Sequence, residues 1–425
     1  MSQNNQDYIK KNYAFNFSLL MIDALGFGAA YSMMIPTGFV PDVVNQLTNL
    51  WFLPPLIISI FFLGVFFSQF ITSAFREKES YAKSDVVKWA LGERLAILLL
   101  FWSLSPDFSS ETQLNLFFLF YSLFIFCAGA ILPSYFDMVS RILYKRRSLF
   151  FALNLSLSSV TGFALSNYAE GIISSTTIVN GYRESLLLVI IITTFSLVSL
   201  LLIREPKDVV KKKSQINFIS EINKKFLEWK NIYNSNKEIK YFCIANMICA
   251  FPEAISPFYS IWLLDRGFDK SILAQWVALI FVGQGIGSFI VPFLGKISGF
   301  RLTYILGLAF HSFATVLYLL DPIQFHYFIF LFTGIGLGCF LNSLSNIAIE
   351  LAPTGDAGSI NAMLGIFRMP GFVLLPLLVS LFIKDLPIFY IFIAILISCF
   401  VSIMLVSRNI DDPIYPKVRF WSSDS

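Results

Sequence analysis

Charge is scarce in this chain. Only 14% of its 425 residues are Asp, Glu, Lys or Arg, 56% are apolar, and the mean hydropathy is +0.71. A soluble domain carries roughly a quarter charged residues, so a water-soluble globule is excluded. Histidine is nearly missing: His311 and His326 are the only two, which argues against a histidine-rich metal site. The five cysteines, Cys127, Cys243, Cys249, Cys339 and Cys399, all lie in apolar stretches without a Cys-x-x-Cys pair. Zinc sites and disulfide frameworks need clustered, correctly spaced cysteines, and these read as small buried hydrophobes. No phosphate-binding loop, nucleophile elbow or zinc motif occurs, so no cofactor and no ATP-driven pump is implied. An enzyme would be expected to gather His, Asp or Ser near an interface, and no such cluster is visible. The net charge of +4 does not point to nucleic acid, because the basic residues are scattered through loops.

What the chain has instead is long apolar runs, about twelve of them. A helix needs about 20 apolar residues to cross the hydrocarbon of a bilayer, and helices satisfy their own backbone there. The expected fold class is all-α integral membrane, with transmembrane helices at about 14–38, 50–75, 88–104, 113–138, 148–171, 184–203, 238–264, 271–295, 300–320, 325–351, 357–383 and 386–406. The first run is long enough to span, so it reads as helix 1 and not as a signal peptide.

Loop charges support this count. Lys10, Lys11, Arg76, Lys78, Lys83, Lys88, Arg141, Lys145, Arg146, Arg147, the Lys-rich 204–240 stretch, Lys296, Arg301, Arg408, Lys417 and Arg419 fall on one side. Arg183, Arg266, Lys270 and Lys384 fall on the other. Lys/Arg excess marks the cytoplasmic side, which places both termini inside a cell (inner) membrane. The chain also repeats itself weakly: Asp137 and Glu350 close helices 4 and 10, and Pro36 and Pro257 lie late in helices 1 and 7. The expected organisation is an N-terminal six-helix bundle (1–203), a cytoplasmic basic linker (204–237), a C-terminal six-helix bundle (238–409) and a tail (410–425). Repeats meeting at the bilayer midplane mark secondary transporters. In the linker, Ile216, Ile219, Ile222, Phe226, Trp229 and Tyr233 recur at helical spacing after Lys211-Lys212-Lys213. This reads as an amphipathic helix on the inner membrane surface, or as a tether without a partner.

Short strings carry a family resemblance. Phe39-Val40-Pro41 with Leu47-Thr48, Ser68-Gln69-Phe70, Gly92-Glu93-Arg94, Arg204-Glu205-Pro206 and Glu350-Leu351-Ala352-Pro353, on a six-plus-six plan, resemble the major facilitator superfamily, in a bacterial branch with twelve transmembrane helices. The resemblance spans about 12–413. The superfamily's usual signature between helices 2 and 3 is missing from Arg76-Glu77-Lys78-Glu79-Ser80. Gly295-Lys296-Ile297-Ser298-Gly299-Phe300-Arg301 keeps it in part. Helix 5 lacks the Gly-Pro motif of many antiporters, and helix 4 lacks a buried Arg, which counts against a drug antiporter.

Charges near a bilayer midplane cost at least a few kcal/mol and tend to face a cavity or a partner. Asp23, Glu253 and Arg368 lie near the middle of helices 1, 7 and 11. They are the candidates for substrate or proton binding, since a buried carboxylate can take up a proton and a guanidinium can hold a polar or anionic solute. Glu253 and Arg368 belong to the same half and could equally form a structural pair. The resemblance implies that helices 1, 4, 7 and 10 line a central cavity. It also implies that Glu93, Arg94, Asp137 and Glu350 form a cytoplasmic gate; solvated helix caps are the alternative. Asn154, Asn246, Asn342, Asn346 and Asn361 read as interhelical hydrogen-bonding groups, and the Gly283–Gly287 and Gly334–Gly338 runs as close helix packing. The expectation is a secondary transporter of a small solute, working by alternating access as a monomer among membrane lipids, with a proton or cation as coupling ion. The alternative is a non-transporting sensor or lipid-handling protein on the same fold.

Overall fold

The computed structural model describes residues 3–36, 39–48, 50, 53–75, 81–143, 147–206, 218–255, 258–264, 266–268, 272–352, 357–382 and 388–411. Among them there are helices and no strand. The loop at 76–80, Lys145, Arg146, Lys211-Lys212-Lys213, Ile216, Pro257, Lys270, Pro353, Lys384 and most of the tail lie outside the described residues.

The N-terminal half contains α1 (Gln3–Met34), α2 (Phe39–Leu47), α3 (Leu53–Phe75), α4 (Ala82–Ser103), α5 (Ser110–Ile142), α6 (Arg147–Ser175) and α7 (Ile178–Leu202). After α8 (Phe218–Ser235) come α9 (Lys237–Ile255), α10 (Phe258–Leu264), α11 (Leu273–Leu320), α12 (Pro322–Leu351), α13 (Ala357–Phe382) and α14 (Ile388–Asn409). Among the described residues, ten helical stretches are long and apolar enough to span a membrane outright. The other two crossings are concealed. One is α4, whose first turns carry Lys83, Asp85 and Lys88 and lower its hydropathy. The other lies within α11, whose 48 residues would extend about 72 Å as one rod, far more than a bilayer.

That long helix reverses at Gly299, where φ is 77°, a left-handed value that suits glycine. Its first arm runs parallel to α12: Gly334 lies against Ile280, Gly338 against Gln284, and Asn342 donates to the Ser288 carbonyl at 3.0 Å. Its second arm runs antiparallel: Gly336 meets Gly307 and Ser343 donates to Thr303 Oγ1 at 2.7 Å. Gly283 and Gly287 interlock with Gly334 and Gly338, whereas Gly285 faces open space. A Cβ on Gly287 would sit 2.2 Å from the Ile335 carbonyl, and one on Gly338 2.2 Å from that of Gln284. Twelve crossings result, as the sequence suggests.

Side-chain placement inverts that of a soluble protein. On α7, Leu187, Ile191, Phe195, Val198 and Leu202 are exposed, whereas Ser185, Thr193, Ser196 and Ser199 are buried. In lipid no hydrophobic force draws helices together, so small hydroxyl residues mediate packing and large apolar ones meet the acyl chains.

The helix ends meet on one face. Glu205, just after α7, accepts hydrogen bonds from the Ala82 and Lys83 backbone N–H groups at the start of α4 and from Arg141 near the end of α5. Asn16 exchanges two hydrogen bonds with the Arg204 backbone. This face, which gathers the starts of α1 and α9 and the end of α14, is called the terminal face below. The linker helix α8 does more than lie on a surface. Trp229 is buried, donates its indole N–H to Ser359 Oγ at 2.9 Å, and packs on Phe70 at 5.2 Å. Tyr233 stacks on Phe367 at 5.3 Å. Since Phe70 belongs to α3 while Ser359 and Phe367 belong to α13, α8 bridges the two halves. Ile219, Phe226 and Leu227 stay exposed, consistent with a lipid-facing side.

Candidate functional site

A partly open cavity of about 190 Å³ lies between the halves. Phe27 and Tyr31 of α1 form one wall, their rings stacked with centroids 5.5 Å apart. Leu155, Ser158 and Ser159 of α6 form the second. Phe281 and Gln284 of α11, with Leu341 of α12, close it from the other half. Gly162 of α6 makes the approach possible, since a Cβ there would stand 2.9 Å from the Phe281 ring. The cavity residues Tyr31, Phe281 and Gln284 had no distinguishing signal in the sequence; Gln284 stood out only as part of a glycine-rich run.

The structure brings Glu253 and Arg368 together. An Arg368 Nη2–H donates to Glu253 Oε2 at 2.7 Å. Glu253 is carried on α9 just after Pro252, which has no N–H for the Ile248 carbonyl, so the helix is weakened here. Arg368 is carried on α13, held close to α9 because a Cβ on Gly371 would meet that of Ala250 at 2.6 Å. The side chains are only 8% and 10% exposed. The guanidinium lies over Phe372 at 4.9 Å and Phe340 at 5.3 Å, contacts that favour a desolvated cation. Phe372 in turn meets Phe62 of α3 at 4.1 Å, so the pair abuts the N-terminal half. The Tyr31 hydroxyl feels the charges of both Glu253 and Arg368, which connects the pair electrostatically to the cavity wall.

Asp23 does not join them. It accepts a hydrogen bond from Ser196 of α7 at 2.6 Å. Arg94 donates to the same hydroxyl at 2.9 Å and to the Thr193 carbonyl at 3.2 Å, and its guanidinium also touches the Glu93 carboxylate. The expectation that Glu93 and Arg94 form part of a terminal-face gate is corrected here. Both sit near the middle of the 22-residue α4, in a buried charge cluster within the N-terminal half. The apolar pattern starts helix 3 at 88, which makes Gly92-Glu93-Arg94 look like its opening. The actual first turn is the charged Ala82–Lys88 segment. Asp23 turns toward this cluster because Gly26 lets α7 approach so closely that a Cβ there would lie 2.2 Å from Ser196 Cβ.

Asp137 and Glu350 do lie where the halves meet on the terminal face. Asp137 of α5 accepts the Gly358 backbone N–H, in the first turn of α13, at 2.8 Å. The contact is tight, since a Cβ on Gly358 would fall 2.1 Å from the Pro133 carbonyl. A carboxylate at a helix N-terminus is favourable there. Glu350, near the end of α12, interacts electrostatically with Arg147 at the start of α6. Arg147 also donates to the Leu143 and Ser140 carbonyls at 2.7 and 2.8 Å. The two contacts are related by the internal repeat: the end of helix 4 meets the start of helix 11, and the end of helix 10 meets the start of helix 5. Arg147 was visible in the sequence only as one loop charge among many. Among the intramembrane asparagines, Asn342 bonds across to α11 and Asn154 donates to the Tyr135 hydroxyl at 3.4 Å.

No curated protein matches this chain. Residues 241–421 match the sequence model of the Major Facilitator Superfamily. Among solved structures, the major facilitator transporter FucP in its outward conformation is similar with a TM-score of 0.70 at 14% identity, covering 93% of this chain and 99% of that one. A POT family transporter in complex with 5-aminolevulinic acid gives a TM-score of 0.67 at 14% identity, covering 92% and 94%. A POT family transporter with a thioalcohol-conjugated peptide gives the same values. The sequence match over the C-terminal half and the shared fold over nearly the whole length make this chain similar to the major facilitator superfamily, and its apolar helices make it a multi-pass membrane protein with that fold.

Proposed function

We propose that this protein is a secondary transporter that carries a small solute by alternating access, coupled to protons through the Glu253–Arg368 pair. The observation that carries the reading is the placement of that pair, buried in the C-terminal half, against Phe372 at the seam and within electrostatic reach of Tyr31 on the cavity wall. A buried ion pair is weak evidence for stability, because desolvation offsets its attraction. Its retention at a seam next to a cavity therefore favours a working role. Protonating Glu253 neutralises it and frees Arg368, which ties proton occupancy to the local packing between α9 and α13.

Two bundles, 1–203 and 238–409, would rock about the cavity. The Asp137–Gly358 and Glu350–Arg147 contacts would serve as the gate on the cytoplasmic side, with both termini on that side of the inner membrane, as the Lys/Arg asymmetry supports. Asp23 would be a second carboxylate of the cycle, acting within the N-terminal half through Ser196 and Arg94. The test is Glu253→Gln in sealed vesicles supplied with a labelled metabolite panel, with and without an imposed pH gradient. Gln keeps the shape but exchanges no proton, so gradient-driven accumulation should vanish while downhill exchange survives. Gradient-driven uptake equal to that of the unaltered protein would remove Glu253 from the mechanism.

A further inference from the structure

The cavity between the halves has a chemistry that selects a class of solute, and we infer that it takes a small, uncharged, flat ring compound bearing a hydrogen-bonding edge. This rests on the cavity being the solute site of the transport cycle proposed above. No charged residue lines it. Glu253 and Arg368, whose charges reach the Tyr31 wall, are bonded to each other and in this ion-paired state present no net charge to a ligand. An anionic solute would lose its water without gaining a counter-ion, which is unfavourable in a low-dielectric site. A phosphate ester or carboxylate is therefore disfavoured.

Shape and hydrogen-bonding capacity narrow the class further. Phe27 and Tyr31 offer a stacked aromatic wall on one half, and Phe281 adds a third ring from the other. Aromatic walls favour a flat partner through offset stacking and edge contacts. Of the hydroxyls in the lining, Ser158 already donates to the Ala24 carbonyl at 2.9 Å and Ser159 to that of Leu155 at 2.7 Å. Each has spent its only hydrogen and can only accept. The Tyr31 hydroxyl and the Gln284 amide make no side-chain hydrogen bond with any described residue. They stand on opposite halves, one on α1 and one on α11. A polyhydroxylated solute would bring more donors and acceptors than these two groups can satisfy, and each one left over opposes binding. A ring with one amide-like or N–H edge matches what is on offer. Because its two polar contacts come from different halves, such a ligand would link them. The volume of about 190 Å³ is below the roughly 300–1,000 Å³ of drug-sized sites, which limits the occupant to one small ring system.

The experiment compares benzamide, benzoate and glucose by equilibrium binding to the purified full-length protein in lipid nanodiscs. Benzamide and benzoate share size and flatness and differ in charge. Saturable benzamide binding is expected, with benzoate at least about tenfold weaker and no glucose binding. Gln284→Ala should weaken benzamide about tenfold and Tyr31→Phe several-fold. Phe281→Trp should abolish binding by filling the space. Melting curves of each variant confirm that it is folded, and a variant that fails to fold is replaced by Gln284→Leu. Binding of benzoate or glucose in preference to benzamide overturns the inference, as does the absence of saturable benzamide binding or an unaltered affinity in the folded Gln284 variant. The measurement uses no gradient and no transport. A protein that binds benzamide but shows no proton-driven uptake contradicts the coupling proposal alone, whereas one that accumulates a sugar or an anion contradicts the solute class alone.

Discussion

Replacing Trp229 by alanine should release α8 from the membrane domain without unfolding the bundle. Trp229 is 6% exposed, packs on Phe70 of α3 and bonds Ser359 of α13. Removing a buried tryptophan side chain costs about 3–5 kcal/mol when the site cannot collapse. Tyr233 on Phe367 and the partly buried Ile232 add to this contact, but Trp229 is the α8 side chain that touches both halves, so most of that loss falls on docking and not on global stability. At about 1.4 kcal/mol per tenfold, the undocked population rises by a factor of about 100 to 4,000. Trp229→Phe is the control. It keeps an aromatic ring against Phe70 and loses the indole hydrogen bond, worth about 0.5–1.5 kcal/mol, so undocking rises about tenfold or less. Hydrogen exchange over 218–235 reads the difference directly. Amides of α8 should exchange far faster in the alanine variant and only modestly faster in the phenylalanine variant, while those of α5 and α12 stay protected. Equal protection of α8 in all three proteins would refute the idea that α8 is stapled across the two halves.

Other outcomes follow from single contacts. Asp137→Ala should loosen the terminal face, because the Gly358 N–H loses its acceptor; a cysteine at Ser359 should then react faster with a soluble maleimide, and an unchanged rate counts against a gate here. Gly338→Leu should prevent proper insertion, since even its Cβ would fall 2.2 Å from the Gln284 carbonyl; a normally folded variant with native melting would show that α11 and α12 are not interlocked. Asp23→Asn should preserve the fold but perturb Arg94, whereas Arg94→Ala, which leaves Asp23 and Glu93 buried without their guanidinium, should cost about 3–5 kcal/mol; equal melting temperatures for the two variants would contradict the cluster. Cysteine probes at Asp107 or Asp321 should label from outside the cell and one at Lys224 should not; the reverse pattern would invert the topology.

The helices and their number were legible because hydropathy and loop charge are recorded residue by residue. The same signal misled at α4, where Lys83, Asp85 and Lys88 belong to the helix but look like loop, and this shifted Glu93 and Arg94 from mid-helix to a helix end. Glu253 and Arg368 could be paired from sequence because both are rare midplane charges in one half and neither is tolerable alone in hydrocarbon. Asp23 has the same signature, yet its direction depends on Gly26 and Ser196, whose contact joins residues 170 positions apart. The amphipathic pattern of α8 was plain, but periodicity shows that a face will be covered without showing what covers it. Likewise, Tyr31 and Gln284 acquire meaning only when α1 and α11 are placed across one cavity.

The account rests on the two halves moving against each other, and distances between spin labels test this most directly. One pair would sit on the terminal face, at Ser84 and Lys237, and the other on the opposite face, at Asp107 and Asp321. Pulsed dipolar measurements in nanodiscs across a pH series should show two populations for each pair, with the terminal-face distance lengthening as the opposite-face distance shortens, and Glu253→Gln should remove the dependence on pH. A single unchanging distance for both pairs at every pH, in the unaltered protein, would contradict it.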